Sequence, residues 1–310
     1  MAKLDYVSIP GKLGLSYSKL NLLSACPRKF ELQEIQNCGE SFSSVDTDYG
    51  HFVGAGIQGL FQFSGNLPRA LVYAFSFWNR ELDAIKPRDN KYLGTAVRAV
   101  EYFAEVYYPS LLSSGYRYWP HGIETFFLIH LTEKYFFQGH VDLILLNPEG
   151  ALELFEIKTS TYAIHEFSWA NSSQTNGYLA MLPFLAQKYN LPFSTRVNYL
   201  IQNPKEIFNP DESCGYKILP FDKTIEDGIE WVQSTLLRTI QLDSYFEYNL
   251  FPKEGKSCYE FYRPCQFFGV CGLRSLSPET TSRYATKDIS SIEIVVTLDQ
   301  LLNYLRSHHV

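Results

Sequence analysis

Long apolar runs are missing from this chain: none approaches the roughly 18 consecutive apolar residues that a membrane span requires. The opening stretch, MAKLDYVSIPGKLGLSYSK, also lacks the apolar segment of a secretory signal. A soluble, cytoplasmic protein is therefore expected. Charge is sparse, with 19% Asp, Glu, Lys and Arg and a net charge of -6, so whole-chain electrostatics would not coat duplex DNA. Nucleic-acid contact would need a local basic stripe. Internal repeats and low-complexity stretches are absent too. What is present is an ordinary globular composition, 45% hydrophobic, over 310 residues, enough for one large core with helical elaboration. Aromatics are plentiful at 16%, a load that packs a core and also suits surfaces on which bases stack. Six cysteines in a reducing compartment point to metal binding or plain burial rather than to disulfides.

Residues 16–35 open on a serine cap and carry apolar residues at helical spacing. Pro27 starts a second helix there, since proline fits a first turn and breaks an interior. A further helix is predicted over 49–64 despite Gly50, Gly54, Gly56 and Gly59. Glycines in a helix cost stability, so these four imply close approach by another backbone. Residues 68–115 read as helical, punctuated by Pro87 and Pro109. The texture then turns β-rich at 123–131, 137–147 and 151–158, the last two joined by a P-E-G turn that predicts a hairpin. A helix at 174–188, a strand at 194–202, a long amphipathic helix at 223–249 and a terminal helix at 297–307 follow. This order predicts an α/β fold, a mixed sheet flanked by helices. The expected organisation is a single domain over 1–310, with a helical insertion at 65–120 and an α/β core at 120–205.

The chemistry concentrates in G-H-V-D-L-I-L-L followed by E-I-K. Asp142 is the only charge in its apolar run. Glu156 and Lys158 stand two residues apart on the next strand, so they share a face, which a hairpin can bring beside Asp142. A charge in an apolar strand is costly unless paired or bound to metal. Two carboxylates and an ammonium look like a hard-cation site, suited to Mg²⁺ or Mn²⁺. Phosphodiester hydrolysis uses such a site to activate water and offset developing charge. The alternative is a structural salt bridge, because E-x-K alone is a weak signal.

The pairing of G-H-V-D-L-I with E-I-K-T-S resembles the catalytic core of the PD-(D/E)xK nuclease superfamily. The similarity is to the RecB-like branch, which includes phage exonucleases and the iron–sulfur nucleases of CRISPR adaptation. Three further pieces agree in order: S-Y-S-K-L-N-L-L-S-A-C-P-R-K-F near the start, Gln174-T-N-G-Tyr178 after the catalytic strand, and a cysteine cluster near the C-terminus. The resemblance covers roughly 15–272 and implies a restriction-endonuclease-like core. It implies that Asp142 and Glu156 ligate metal together with the Ile157 carbonyl, and that Lys158 serves the attacking water. Gln174 and Tyr178, at i and i+4 on one helical face, would hold DNA phosphate or support the lysine; the plain alternative is an exposed glutamine and a core tyrosine. One piece departs from the pattern G-x-x-x-H-x-x-x-E. Here Gly54 stands for the histidine and Gln58 for the glutamate, with His51 three residues early. Either His51 or Gln58 would complete the site, Gln58 being the positional match, and one metal or two are both open.

Cys258, Cys265 and Cys271 stand at C-x6-C-x5-C, and the resemblance adds Cys26 as a fourth ligand. Four thiolates imply a [4Fe–4S] cluster, with structural Zn²⁺ or unliganded buried cysteines as alternatives. Either metal would make a staple holding segment 250–275 against the 15–35 helices. Cys38 and Cys214 read as ordinary thiols. Arg28, Lys29, Arg263 and Arg274 interleave with Tyr259, Phe261, Tyr262, Phe267 and Phe268, a pattern that fits a single-strand channel or packing around the staple. The functional expectation is a Mg²⁺- or Mn²⁺-dependent deoxyribonuclease. It would act as an exonuclease on DNA ends or single strands in recombination, repair or phage DNA metabolism, in the host cytoplasm if phage-encoded. No membrane is expected as partner, and a protein partner in recombination or replication is. The alternatives are a non-catalytic DNA-binding or scaffold protein of the same fold, and an iron–sulfur redox protein.

Overall fold

The computed structural model describes residues 7–36, 38, 45–79, 90–161, 169–170, 172–208, 215–260, 263–271 and 294–307. A short strand, β1 (Leu13–Leu15), leads to Ser16, whose hydroxyl accepts from the Lys19 amide and starts α1 (Tyr17–Ala25). Cys26 is extended, and Pro27 then occupies the first turn of α2 (Pro27–Phe30), as its missing N–H allows. A π-helical turn, Glu31–Ile35, follows. The glycine-bearing helix is α3 (Val45–Gln62), and α4 (Leu67–Phe75) is capped by Asn66. Next come α5 (Leu93–Tyr102), a π-helical turn and α6 (Tyr108–Ser113). Pro87 lies outside the described residues.

The β-rich half gives β2 (Arg117–His130), β3 (Tyr135–Leu146) and β4 (Leu152–Thr159). The predicted turn between the last two is built on Asn147, whose side-chain oxygen accepts from the Glu149 and Ala151 amides, while Gly150 takes φ 81°. Helix α7 (Ser173–Tyr189) is the crossover that parallel pairing of β4 with β5 (Phe193–Gln202) requires. Beyond lie β6 (Tyr216–Asp222), α8 (Ile225–Glu247), the two-residue strands β7 (Tyr259–Glu260) and β8 (Arg263–Pro264), then β9 (Ile294–Thr297) and α9 (Leu298–Ser307). The main sheet runs β6-β5-β4-β3-β2-β9, with β1 also on β3. It is mixed, as expected, and helices cover both faces.

Each face buries its own core. On one, Leu23 of α1, Leu182 of α7, Trp231 of α8 and Leu301 of α9 pack against Phe127, Ile144 and Leu154. On the other, Phe52 and Leu60 of α3 and Val100 of α5 pack against Leu143, Phe155 and Leu200. Each such side chain stabilises the fold by about 1.5–3 kcal/mol relative to exposure. The α3 glycines divide. A Cβ on Gly56 would stand 2.4 Å from Val100 Cγ2, and one on Gly59 would stand 3.0 Å from the Ala70 Cα. Gly56 makes room for the Val100 side chain, and only Gly59 of the two fulfils the expectation of close approach by another backbone. Gly54 does not, for a Cβ there would meet nothing within 4 Å.

One topological detail positions the site. The edge of β3 that faces β4 is shared by two strands: β4 pairs with Leu143–Leu146 and β1 with Tyr135–Phe137. Residues 138–142 have no ladder partner on that edge among the described residues. The sheet is split there, and a cavity opens in the split.

Candidate active site

The cavity measures about 390 Å³. Gln138, Gly139, His140 and Asp142 line it from the split edge, Ser16 and Tyr17 from the start of α1, His51, Gly54 and Gln58 from α3, and Gln174 and Tyr178 from α7. Ile157, Lys158 and Thr159 close the β4 side. Gly139, which opens the G-H-V-D motif, is needed for packing: a Cβ there would stand 2.8 Å from Phe127 Cζ.

Where β3 and β4 part, Asp142 replaces the ladder with its side chain. Its Oδ2 accepts from the Ile157 amide at 2.8 Å. Glu156, 1% exposed, has Lys158 Nζ 2.5 Å from its Oε1, with Gln174 as a further hydrogen-bonding neighbour. The contrast with Glu153, three residues earlier on the same strand and equally buried, is instructive. Glu153 receives the Tyr116 hydroxyl at 2.7 Å, Asn198 Nδ2 at 2.7 Å and Asn147 Nδ2 at 3.2 Å. One buried glutamate is satisfied by neutral donors, as structural carboxylates are. The other is paired with an ammonium.

Electrostatics sharpen the difference. Burial pushes the Glu156 carboxyl up to about 8, the charge of Asp142 adds to the rise, and Lys158 opposes it. Burial also raises Asp142, against the pull of Lys158 and the Ile157 N–H. For Lys158, burial alone would depress the ammonium, but the charges of Glu156 and then Asp142 outweigh it and hold the pKa above the usual lysine range. Below about pH 8 the metal-free fold therefore keeps a proton on Glu156, which a bound cation would displace. The donor set is oxygen only, so it fits a hard divalent cation.

The remaining predicted residues are also here. Gln58, 3% exposed, donates through Nε2 to Glu124 Oε1 at 2.7 Å and to the Asp142 carbonyl at 2.9 Å. Both amide hydrogens are thereby committed, and only its oxygen is left as a donor atom for a cation. His51 lines the cavity; burial lowers its pKa, while Asp48 and Asp142 pull the other way, so the imidazole is neutral at pH 7. Gln174 Nε2 donates to the Tyr178 hydroxyl at 2.7 Å. Tyr178 is both cavity wall and core residue, its ring edge-on to Phe127 at 5.6 Å. Burial, with the charges of Glu156 and Asp142, keeps its phenol protonated.

Residues 14–272 match the PD-(D/E)XK nuclease superfamily. The chain belongs to that superfamily. No curated protein matches the sequence. Among solved structures, a “Putative exonuclease” from Eubacterium rectale is similar, at 9% identity and a TM-score of 0.46, over 80% of this chain and 86% of that one.

In this PD-(D/E)XK chain the cysteine segment does lie against the N-terminal helices. Ser257 Oγ donates to the Ala25 carbonyl at 2.7 Å, the Arg28 amide to the Pro252 carbonyl at 3.0 Å, and Arg28 Nε to the Cys271 carbonyl at 3.4 Å. Cys38 packs with Leu32 and Phe267, and Cys265 lies partly buried beside them. Among the described residues, however, no three His, Cys, Asp or Glu side chains are grouped so as to hold a metal ion. The structure thus does not gather Cys26, Cys258, Cys265 and Cys271 into a cage for a [4Fe–4S] cluster or zinc; hydrogen bonds and packing join the segments. Of the interleaved aromatics, Phe267 is buried while Tyr259 and Phe268 are exposed. Cys214, Phe261, Tyr262 and Arg274 lie outside the described residues, as does the Arg263 side chain. Among the described residues, no helix is long and apolar enough to cross a membrane.

Two acidic residues escaped the sequence reading. Glu153 lies in the same A-L-E-L-F-E run as Glu156, and nothing local tells them apart. Glu124 carried the signal that marked Asp142, a lone acid in an apolar run, I-E-T-F-F-L-I.

Proposed function

We propose that this PD-(D/E)XK chain is a divalent-cation-dependent deoxyribonuclease of the RecB-like branch, acting as an exonuclease on DNA ends or single strands in recombination, repair or phage DNA metabolism. The observation that carries the reading is Glu156: a fully buried carboxylate beside Asp142 and paired with Lys158, the latter two lining the cavity. Asp142, Glu156 and the Ile157 carbonyl would hold Mg²⁺ or Mn²⁺, which supplies an activated water and offsets charge on the phosphoryl oxygens. Lys158 stays protonated while both carboxylates are ionised, so it acts as a charged donor that orients water or stabilises the phosphorane-like charge. Tyr178, a neutral phenol fixed by Gln174, offers a hydroxyl at the same wall. The hydroxyls of Ser16 and Ser18 flank the cavity at the start of α1, where amides face outward and favour phosphate.

The test is degradation of end-labelled linear and of circular DNA with Mn²⁺. Asp142→Ala and Lys158→Ala should each lower the rate by at least about a hundredfold with melting temperature preserved. Digestion by both variants at the wild-type rate would refute the assignment. Attack on circles would replace exonuclease by endonuclease action. Wild-type binding of single strands without any cleavage would instead select the non-catalytic, DNA-binding reading.

A further inference from the structure

We infer that single-stranded DNA runs from the catalytic cavity along α4, its bases meeting Phe77, Tyr73 and Phe63 and a phosphate meeting Arg69; this rests on the nuclease reading of the site. The row starts at the cavity, because Phe77 forms part of its wall. Tyr73 stands edge-on to Phe77 with ring centres 5.3 Å apart, and Phe63 edge-on to Tyr73 at 6.3 Å. At the far end the Arg69 guanidinium lies over the Phe63 ring, 4.9 Å from its centre. Arg69 and Tyr73 are four residues apart on α4 and so share a helical face. Tyr73 is also within electrostatic reach of the cavity: burial raises its phenol, and the charge of Glu124 on the cavity wall raises it further. Successive bases of a stacked strand rise about 3.4 Å each, so two ring-to-ring steps of this size match about three nucleotides.

Core packing alone does not account for the row. Tyr73 and Phe77 are half-buried beside the α3-side core, but Phe63 is in neither core of the sheet and stays partly exposed. Arg69 is exposed, and a guanidinium laid on an aromatic face keeps its N–H groups free for a phosphate. The charge of the stretch fits the same partner. The chain is acidic overall, with 33 Asp and Glu in 310 residues and a net charge of -6. Yet from Tyr49 to Asn79 there is no acid, and Arg69 is the one Lys or Arg. The exposed polar side chains beside the rings, Gln62, Ser64, Asn66 and Ser76, are neutral. A phosphate chain thus meets no like charge from this stretch, in a protein whose overall field would repel it. Rings and a local cation without acids are what a single strand requires, whereas paired bases in a duplex hide the faces that rings stack on. The aromatics of the cysteine segment lack this continuity: Tyr259, Phe267 and Phe268 do not line the catalytic cavity.

The experiment measures binding of a fluorescent oligo(dT) strand and of a blunt duplex to the full chain in EDTA, then digestion with Mn²⁺. Tyr73→Leu and Phe63→Leu keep apolar bulk and remove the ring. Each should weaken single-strand binding by about tenfold or more and leave blunt-duplex binding unchanged. Tyr73→Phe keeps the ring and should bind as wild type. Arg69→Gln should make the salt dependence of single-strand binding shallower, by about 0.7 in the slope of log K against log salt. With Mn²⁺, the KM for a long single strand should rise in all three, while bis(nitrophenyl) phosphate, too small to reach beyond the cavity, is hydrolysed at the wild-type rate. Wild-type binding, salt slope and KM in all three variants would overturn the inference and leave the nuclease reading standing. Equal losses on duplex and single strand, or a loss in Tyr73→Phe matching that in Tyr73→Leu, would also overturn it, as general damage to the fold predicts. A dimer in sedimentation that Tyr73→Leu dissociates, with single-strand binding intact, would give this face to a second copy and overturn it too. Single-strand binding through Tyr73 without any cleavage would uphold the inference while the catalytic reading fell. Absence of single-strand binding by wild type would overturn it whether or not cleavage occurs.

Discussion

Glu153 and Glu156 show how little a residue's identity says about its work. They sit on one strand, equally buried, and differ in what surrounds them. Removing Glu153 strands Tyr116, Asn147 and Asn198 as unpaired donors, so Glu153→Ala should cost about 3 kcal/mol or more in urea unfolding. Glu156→Gln should do the reverse in EDTA above about pH 8, where it removes a charge opposed by Asp142, while abolishing cleavage. A pH profile separates the two further. The Glu156 carboxyl is raised from 4.5 to about 8 in the metal-free fold. Between those values the folded chain holds a proton that the unfolded chain has released, so stability must fall as pH rises through that window. Metal-free protein should thus melt higher at pH 5.5 than at pH 8.5, and Glu156→Gln should flatten the difference. A slope that survives the substitution would locate the titrating group elsewhere.

At the scale of elements, α3 carries the clearest prediction. Gly54 faces open space, so Gly54→Ala gains helix propensity without a clash and should stabilise by about 0.5–1 kcal/mol. Gly56→Ala meets Val100 inside a closed core and should cost about 1–3 kcal/mol. Equal effects in urea unfolding would contradict the packing described. The helices and the β3–β4 hairpin were legible because their periodicity and turn chemistry are local. Three strands of the main sheet were not. β1 is three residues long, too short to show alternation. β6 contains Pro220, which argues against a strand unless it lies at an edge, and β6 is the edge. β9 is four residues, recruited to β2 by pairing alone.

At the scale of the molecule, the last described segment completes the first core. β9 extends the sheet beside β2, and α9 lays Leu301 and Leu305 into the core formed by α7 and α8. Leu301 is fully buried, so Leu301→Ala should cost about 2–5 kcal/mol. A smaller loss, under about 0.5 kcal/mol, would mean that this segment merely rests on the surface. The sheet itself has to be broken for the site to exist. Were β4 to pair along the whole of β3, residues 138–142 would be covered and Asp142 would have a ladder neighbour instead of a cavity.

Sequence alone determined the chemistry on offer. Asp142, Glu156-x-Lys158 and Gln174-x-x-x-Tyr178, in that order on strand, strand and helix, follow from patterns with a period of two or four residues, and such patterns are local. The tertiary structure decided which of these groups act together, and which acids beside them are structural. It put Glu124 opposite Asp142, committed the Gln58 amide group to Glu124 and the Asp142 carbonyl, left Gly54 facing open space, and kept the cysteines from meeting as a metal cage among the described residues. Those outcomes depend on strand register and on contacts between residues 66 to over 200 positions apart, which no local pattern encodes.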